Sequence, residues 1–275
     1  MNLDARLADE AIRNWLGDGT TRIPLTAMNS SSWMVSSGNE RYVLKISDAS
    51  EEACLRVAVW LEERGIRTGA PVHMAFRRNR LIALLRFEDG RPLSTSKEDA
   101  KALGEMLGRV HSSLVGAQVP HGLQRWPWPW PQPAVIDDPV VRAAATDAMR
   151  SAARLAPTVT HGILHGDPAP EAFLDGDDHI ALIDWGAACH GPLLYDVASA
   201  WLYAGDGVLD GYARTSPITS GELAAAPVFL AFRWAVQAWY FSDRIHRRDL
   251  TGLAGDEDNV KGLADARRAL LGPAP

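Results

Sequence analysis

The chain has 275 residues, 47% of them hydrophobic and 23% charged, so it can bury a sizeable core and is not compositionally disordered. Its net charge of −6 argues against nucleic acid as the main partner, because phosphate backbones are bound by clustered Lys and Arg. Two cysteines, Cys54 and Cys189, make no disulfide framework and point to a reducing, cytoplasmic setting. No apolar run is long enough to span a membrane, and the opening Met1 to Arg6 lacks a signal-peptide pattern.

Helical spacing over residues 4–16 puts Leu7, Ala11, Ile12 and Leu16 on one side. A β-rich stretch follows: Trp33-Met34-Val35, a turn at 37–40, and Tyr42 to Ile46. A helix is predicted from about Glu51 to Arg64, ended by Gly65. His73 to Phe76 and Leu81 to Leu85 flank a basic turn and read as a hairpin. These elements predict a small β-rich N-terminal lobe, residues 1–88. Residues 89–275 read as a larger, mainly helical lobe, with helices over 97–114, 138–155, 220–245 and 259–271. Between them, 161–187 is a loop-and-hairpin segment that carries the chemistry.

That segment opens with His165-Gly166-Asp167-Pro168-Ala169-Pro170-Glu171-Ala172-Phe173 and, after a turn at 175–178, closes with Ile183-Asp184-Trp185-Gly186. Two carboxylates at opposite ends of a hairpin can face one cleft. Phosphoryl transfer needs such a pair: one orients the acceptor hydroxyl and takes its proton, the other holds Mg²⁺ against the phosphates.

These residues, with Gly191 to Ala198, resemble the aminoglycoside phosphotransferase family, which includes choline-kinase-like small-molecule kinases. Tyr42-Val43-Leu44-Lys45 resembles the strand bearing its phosphate-binding lysine, and Phe87 to Leu93 the hinge. The ordered set spans roughly residues 25–205. The resemblance implies an α+β, two-lobed, protein-kinase-like fold. It makes Asp167 the catalytic base and Asp184 the principal Mg²⁺ ligand. Lys45 would neutralise the α- and β-phosphates, and Arg86, Phe87 and Glu88 would line the nucleotide. Asp196 would accept backbone hydrogen bonds from the catalytic loop, or simply cap a helix.

The chain departs from the family pattern in several places. Ala172 stands where the family has a metal-binding Asn, and the adjacent Glu171 is the candidate substitute ligand. The phosphate-covering loop reads Asn29-Ser30-Ser31-Ser32 rather than glycine-rich. Family register for the acid paired with Lys45 lands on Cys54, leaving Glu51 and Glu52 as candidates. Trp126, Trp128 and Trp130 alternate with prolines, which favours an extended display of stacking platforms for an acceptor or a plug between helices.

The reading is an ATP- or GTP-dependent O-phosphotransferase with Mg²⁺, acting on a small hydroxylated acceptor such as an antibiotic or related metabolite, as a monomer or homodimer. The alternative, for which Ala172 speaks, is a pseudokinase that binds nucleotide or ligand without turnover. A protein kinase is disfavoured, because Asp196 lies only 12 residues on from Asp184. No GxxxxGK[ST] motif occurs, which excludes a P-loop kinase.

Overall fold

The computed structural model describes residues 3–25, 30–127, 132–251 and 255–272. In chain order these form α1 (Leu3–Leu16), β1 (Thr21–Leu25), β2 (Ser31–Ser37), β3 (Glu40–Asp48), α2 (Glu52–Glu62), β4 (Pro71–Arg77), β5 (Arg80–Arg86) and β6 (Arg91–Pro92). There follow α3 (Lys97–Ser113), β7 (Gln124–Arg125), α4 (Pro139–Leu155), β8 (His161–Leu164), β9 (Phe173–Asp175), β10 (Ile180–Leu182) and β11 (Cys189–Pro192). The chain closes with α5 (Leu193–Ala204), α6 (Gly207–Thr215), α7 (Ser220–Leu223), α8 (Ala226–Arg247) and α9 (Glu257–Leu271).

Two compact units result. The first gathers the described residues of Met1–Pro92, Val119–Leu123 and Ala172–Ala188; the second takes Leu93–Gln118, Gln124–Glu171 and Cys189–Pro275. A single cut at 88/89 does not reproduce this division, because the hairpin β9–β10 belongs with the first unit. There β9 pairs with β6, Arg91 opposite Asp175.

In the first unit, five antiparallel strands are ordered β1-β2-β3-β5-β4. Alternation sends Trp33, Val35, Leu44, Ile46, Ile82 and Leu84 to one face, where the apolar side of α1 covers them with Leu7, Ala8, Ala11 and Ile12. On α2, Leu55 packs with Leu81 and Ala83 instead. The β4–β5 hairpin turns through Arg78 and Asn79, both left-handed at φ 49° and 63°.

The second unit is mainly helical. Ser96 caps α3 by accepting from the Asp99 amide, and Asp138 caps α4 by accepting from the Val140 amide. Its core includes the fully buried Leu103, Leu107, Tyr212, Phe229 and Phe232. The predicted run over 220–245 is two helices, α7 and α8, and Pro227 lies in the first turn of α8, where its missing N–H costs nothing. Among the described residues, no helix is long and apolar enough to cross a membrane.

Candidate active site

Two groups of polar side chains stand out, one in each unit. In the first unit, β3 presents Lys45, whose ammonium lies 3.0 Å from Glu51 Oε2 and 3.4 Å from Asp184 Oδ1. Burial alone would favour the neutral amine, but the charges of Asp184 and Glu51 outweigh it and raise the Lys45 pKa. Of the two acids open in the sequence, Glu51 is therefore the one paired with the lysine. Glu52 lies on α2 and bonds Arg56 across one turn, at 2.6 Å. Glu51 was hard to place because it precedes the helix, on a 3-10 turn (Ala49–Glu51) that Asp48 caps. Cys54, where family register would put an acid, is buried and donates to the Ala188 carbonyl at 3.4 Å. Burial and the Glu51 charge push its thiol pKa up to about 11, so it stays neutral.

Asp184 sits in the left-handed region at φ 63°, ψ 57°, a conformation Asp tolerates better than most residues. Its side chain is 74% exposed. The turn beyond it is pinned by Trp185, which is buried and donates its indole N–H to the Leu182 carbonyl at 2.8 Å. At Gly186 an added β-carbon would lie 2.8 Å from Lys45 Nζ and 3.0 Å from Glu51 Oε2. The glycine thus leaves the room that the ion pair fills.

Of the serines expected over the phosphates, Ser31 donates to Asp4 of α1 at 2.8 Å. Ser30 and Ser32 share a hydrogen bond at 3.1 Å, and Ser32 lies opposite Lys45 across the β2–β3 ladder. Asn29 lies outside the described residues. In the hinge segment, Arg86 closes β5 and ion-pairs with Glu62 at 3.9 Å, and Phe87 lies beneath the Arg41 guanidinium. Glu88 is buried and bonded by Arg67, with Nη2 to Oε2 at 3.0 Å, so its carboxylate is a clasp inside the unit.

In the second unit, the His165-Gly166-Asp167 loop is fixed from below. Asp196 on α5 is fully buried and accepts from the amides of His165, at 2.6 Å, and Gly166, at 2.9 Å. It also bonds His111 Nε2 at 3.2 Å. Its reading as a helix cap is displaced by these bonds, since it lies within the first turn of α5 and Pro192 holds the cap position. Gly166 is at φ 93°, a conformation that side-chain-bearing residues rarely adopt. The loop delivers Asp167 with its side chain 55% exposed.

Two residues that the sequence did not single out hold Asp167. Arg233 Nη2 donates to Oδ1 at 3.2 Å, and the Tyr203 hydroxyl donates to the same oxygen at 3.1 Å. Arg233 is buried in α8 and also donates to the Tyr195 hydroxyl at 2.9 Å. Burial opposes its charge, but Tyr195, Tyr203 and Asp167 more than offset it and raise its pKa. Burial pushes Tyr195 up to about 12.

Glu171 is exposed on the 3-10 turn Pro170–Ala172, and it makes no hydrogen bond or ion pair among the described residues. Ala172 is buried and its carbonyl accepts from the Ile183 amide at 2.8 Å. Trp126 is not a displayed platform: its ring packs against Tyr195, Phe229 and Phe232, with centroids 5.2–6.3 Å apart. Trp128 and Trp130 lie outside the described residues.

The fold is shared with solved small-molecule kinases. Amicoumacin kinase hAmiN, solved with AMP-PNP and Ca²⁺, superposes with a TM-score of 0.77 at 17% identity, over 98% of this chain and 93% of its own. A microcompartment-associated aminopropanol kinase gives 0.73 at 16% identity, over 97% and 95%. The spectinomycin phosphotransferase APH(9)-Ia gives 0.69 at 14% identity, over 97% of each chain. In sequence, a homoserine kinase of Methylobacillus flagellatus is 29% identical over 238 residues, covering 74% of this chain and 73% of that protein. A homoserine kinase of Rhodopseudomonas palustris is 30% identical over 202 residues, covering 61% of this chain and 60% of its own length. The pattern of the phosphotransferase enzyme family, APH, matches residues 21–225. The chain is therefore a member of that family, with the protein-kinase-like α+β fold its sequence predicted.

Proposed function

We propose that the chain transfers the γ-phosphoryl group of ATP or GTP to a hydroxyl of a small molecule, with Mg²⁺. The observation that carries this is Lys45, a charged ammonium held between Glu51 and the exposed carboxylate of Asp184. Such a cation can receive phosphate oxygens, and the exposed carboxylate beside it offers the hard oxygen that Mg²⁺ prefers.

The donor set fits that ion. Among the described residues, no cluster of three or more His, Cys, Asp or Glu could hold a metal alone. Mg²⁺ is commonly held by one or two carboxylates together with substrate phosphates and water. Asp184 is the proposed ligand and Glu171, unpartnered and exposed, the proposed second one. When bound, the ion would neutralise charge on the phosphates.

Asp167 is the proposed base. It accepts the proton of the acceptor hydroxyl as that oxygen forms its bond to the γ-phosphorus. The bridging P–O bond breaks, and the nucleoside diphosphate departs with the electron pair. Lys45 offsets charge on the departing diphosphate, and most of the acceleration comes from positioning and electrostatics. The sequence similarity to homoserine kinases supports a hydroxylated amino acid as acceptor. The structural likeness to amicoumacin and spectinomycin kinases keeps hydroxylated antibiotics as the second class.

The test is transfer of labelled phosphate from ATP and from GTP to homoserine, aminopropanol, spectinomycin and aminoglycosides. Asp167→Asn should cost about 10²–10⁴ in rate while nucleotide affinity holds, as for loss of a general base. Absence of transfer to every acceptor, with nucleotide still bound, would favour the pseudokinase.

A further inference from the structure

Hydrogen-bond bookkeeping around Asp167 is unusually complete. The Tyr203 oxygen accepts from Arg233 Nη2 and from Gln237 Nε2, each at 3.1 Å. Both of its lone pairs are thus engaged, and a phenol has one proton to give. That proton is directed at Asp167 Oδ1, 3.1 Å away. Arg233 Nη2 donates to the same Oδ1 at 3.2 Å. Oδ1 therefore collects two donors, while Oδ2 receives none among the described residues.

The donors are themselves immobile. Arg233 is 5% exposed, its guanidinium lies 5.3 Å from the Tyr195 ring centroid and 5.8 Å from that of Tyr203, and its Nη1 is bonded to the Tyr195 hydroxyl. Burial pushes the Tyr203 pKa well above the usual phenol value, so it is a proton donor throughout the physiological range. α8 supplies Arg233 and Gln237, and α5 supplies Tyr195 and Tyr203, so two helices of one unit build the whole arrangement.

We propose that Arg233 and Tyr203 are positioning residues that anchor Oδ1 of Asp167 and so present Oδ2 as the oxygen that receives the acceptor's proton. The assignment rests on Asp167 being the base of the reaction proposed above. In the transfer step the acceptor O–H bond breaks and its proton passes to Oδ2. The acceptor oxygen bonds the γ-phosphorus, and the nucleoside diphosphate leaves. Arg233 and Tyr203 exchange no proton; they fix the rotation of the carboxylate. Without them either oxygen could turn toward the hydroxyl, and the approach geometry would spread.

A carboxylate misaimed by about an ångström costs on the order of 10²-fold in rate. Four variants test the assignment: Tyr203→Phe, Gln237→Leu, Arg233→Lys and Arg233→Met. The readouts are kcat, nucleotide KM and melting temperature, with nucleotide hydrolysis by water alongside transfer to the best acceptor. Tyr203→Phe should lower kcat about 10-fold to 10²-fold, with nucleotide KM and melting temperature close to wild type. Gln237→Leu frees one Tyr203 lone pair and should give a smaller fall of the same kind. Arg233→Lys keeps a charged donor and should recover part of the activity that Arg233→Met loses. Should Arg233→Met fail to fold, Tyr203→Phe and Gln237→Leu decide the matter. A folded Tyr203→Phe enzyme with wild-type kcat overturns the inference alone, as does an Arg233 series whose losses follow melting temperature. A wild type inactive with every nucleotide and acceptor overturns the reading of Asp167 as base, and this inference with it.

Discussion

Gly186 leaves the space that Lys45 uses: a β-carbon on the glycine would stand 2.8 Å from the ammonium. Real side chains do not tolerate that approach, so in Gly186→Ala the far ends of Lys45 and Glu51 must shift from their present pairing. The expected result is weaker nucleotide binding, about tenfold, equivalent to about 1.4 kcal/mol. Titration calorimetry with Mg²⁺ and nucleotide measures it. Unchanged affinity would mean that the lysine does not serve the phosphates.

The pairing of Lys45 with Glu51 rather than Glu52 predicts a sharp asymmetry between adjacent residues. Glu51→Gln removes a charge 3.0 Å from the ammonium and should weaken nucleotide binding. Glu52→Gln removes only a surface pair with Arg56 and should leave binding unchanged. The sign of the pH effect follows from the same geometry. The Lys45 pKa is raised from 10.5, so its charge is complete at neutral pH and is lost only as pH climbs past that value. Wild-type binding should stay flat from neutrality to about pH 10.

Glu171 gives a metal-dependence test. If its exposed carboxylate is a ligand, Glu171→Ala raises the Mg²⁺ concentration needed for half-maximal activity, and Mn²⁺ follows the same order. A solvent-facing Glu leaves both unchanged. Restoring the family's Asn at position 172 is a poor rescue, because Ala172 is 6% exposed and a larger polar side chain there would have to displace its neighbours.

Asp196→Ala should act on stability before it acts on catalysis. It strips the amides of His165 and Gly166 of a fully buried acceptor and takes a partner from His111. Each orphaned buried group costs about 1–3 kcal/mol. Chemical denaturation should show a loss of about 3 kcal/mol or more, with activity falling further than stability because the loop that carries Asp167 loses its floor. A stable, active variant would remove Asp196 from the support of that loop.

What the sequence could show depended on how local the signal was. Lys45, Asp167 and Asp184 were legible because short motifs carry them, and α1, α3, α4 and the β4–β5 hairpin because their periodicity is clean. β1 was missed because its burial does not alternate and Pro24 sits inside it. α5 was not read as a helix because nine of its twelve residues are buried, which erases the amphipathic stripe. The membership of 172–188 in the first unit depends on the pairing of β9 with β6, about eighty residues upstream, which no local pattern records. Arg233 and Tyr203 were hidden among aromatic residues that look like plain core. The signal that could have exposed Arg233 was an arginine set in an apolar helix with no acid one turn away on either side.

The placement of Glu51 has a further consequence. Where a kinase carries the lysine's partner on a mobile helix, swinging that helix parts the pair and switches the enzyme off. In this chain the partner sits on the single turn directly after β3, the strand that carries Lys45, six residues along the same continuous backbone. α2 begins only afterwards. Glu51 also holds the N-cap position of α2, so a motion of that helix would reach the ion pair directly, through a tether of six residues to Lys45. A pair so close in sequence closes only a short loop of chain, so bringing its two charges together costs little conformational entropy.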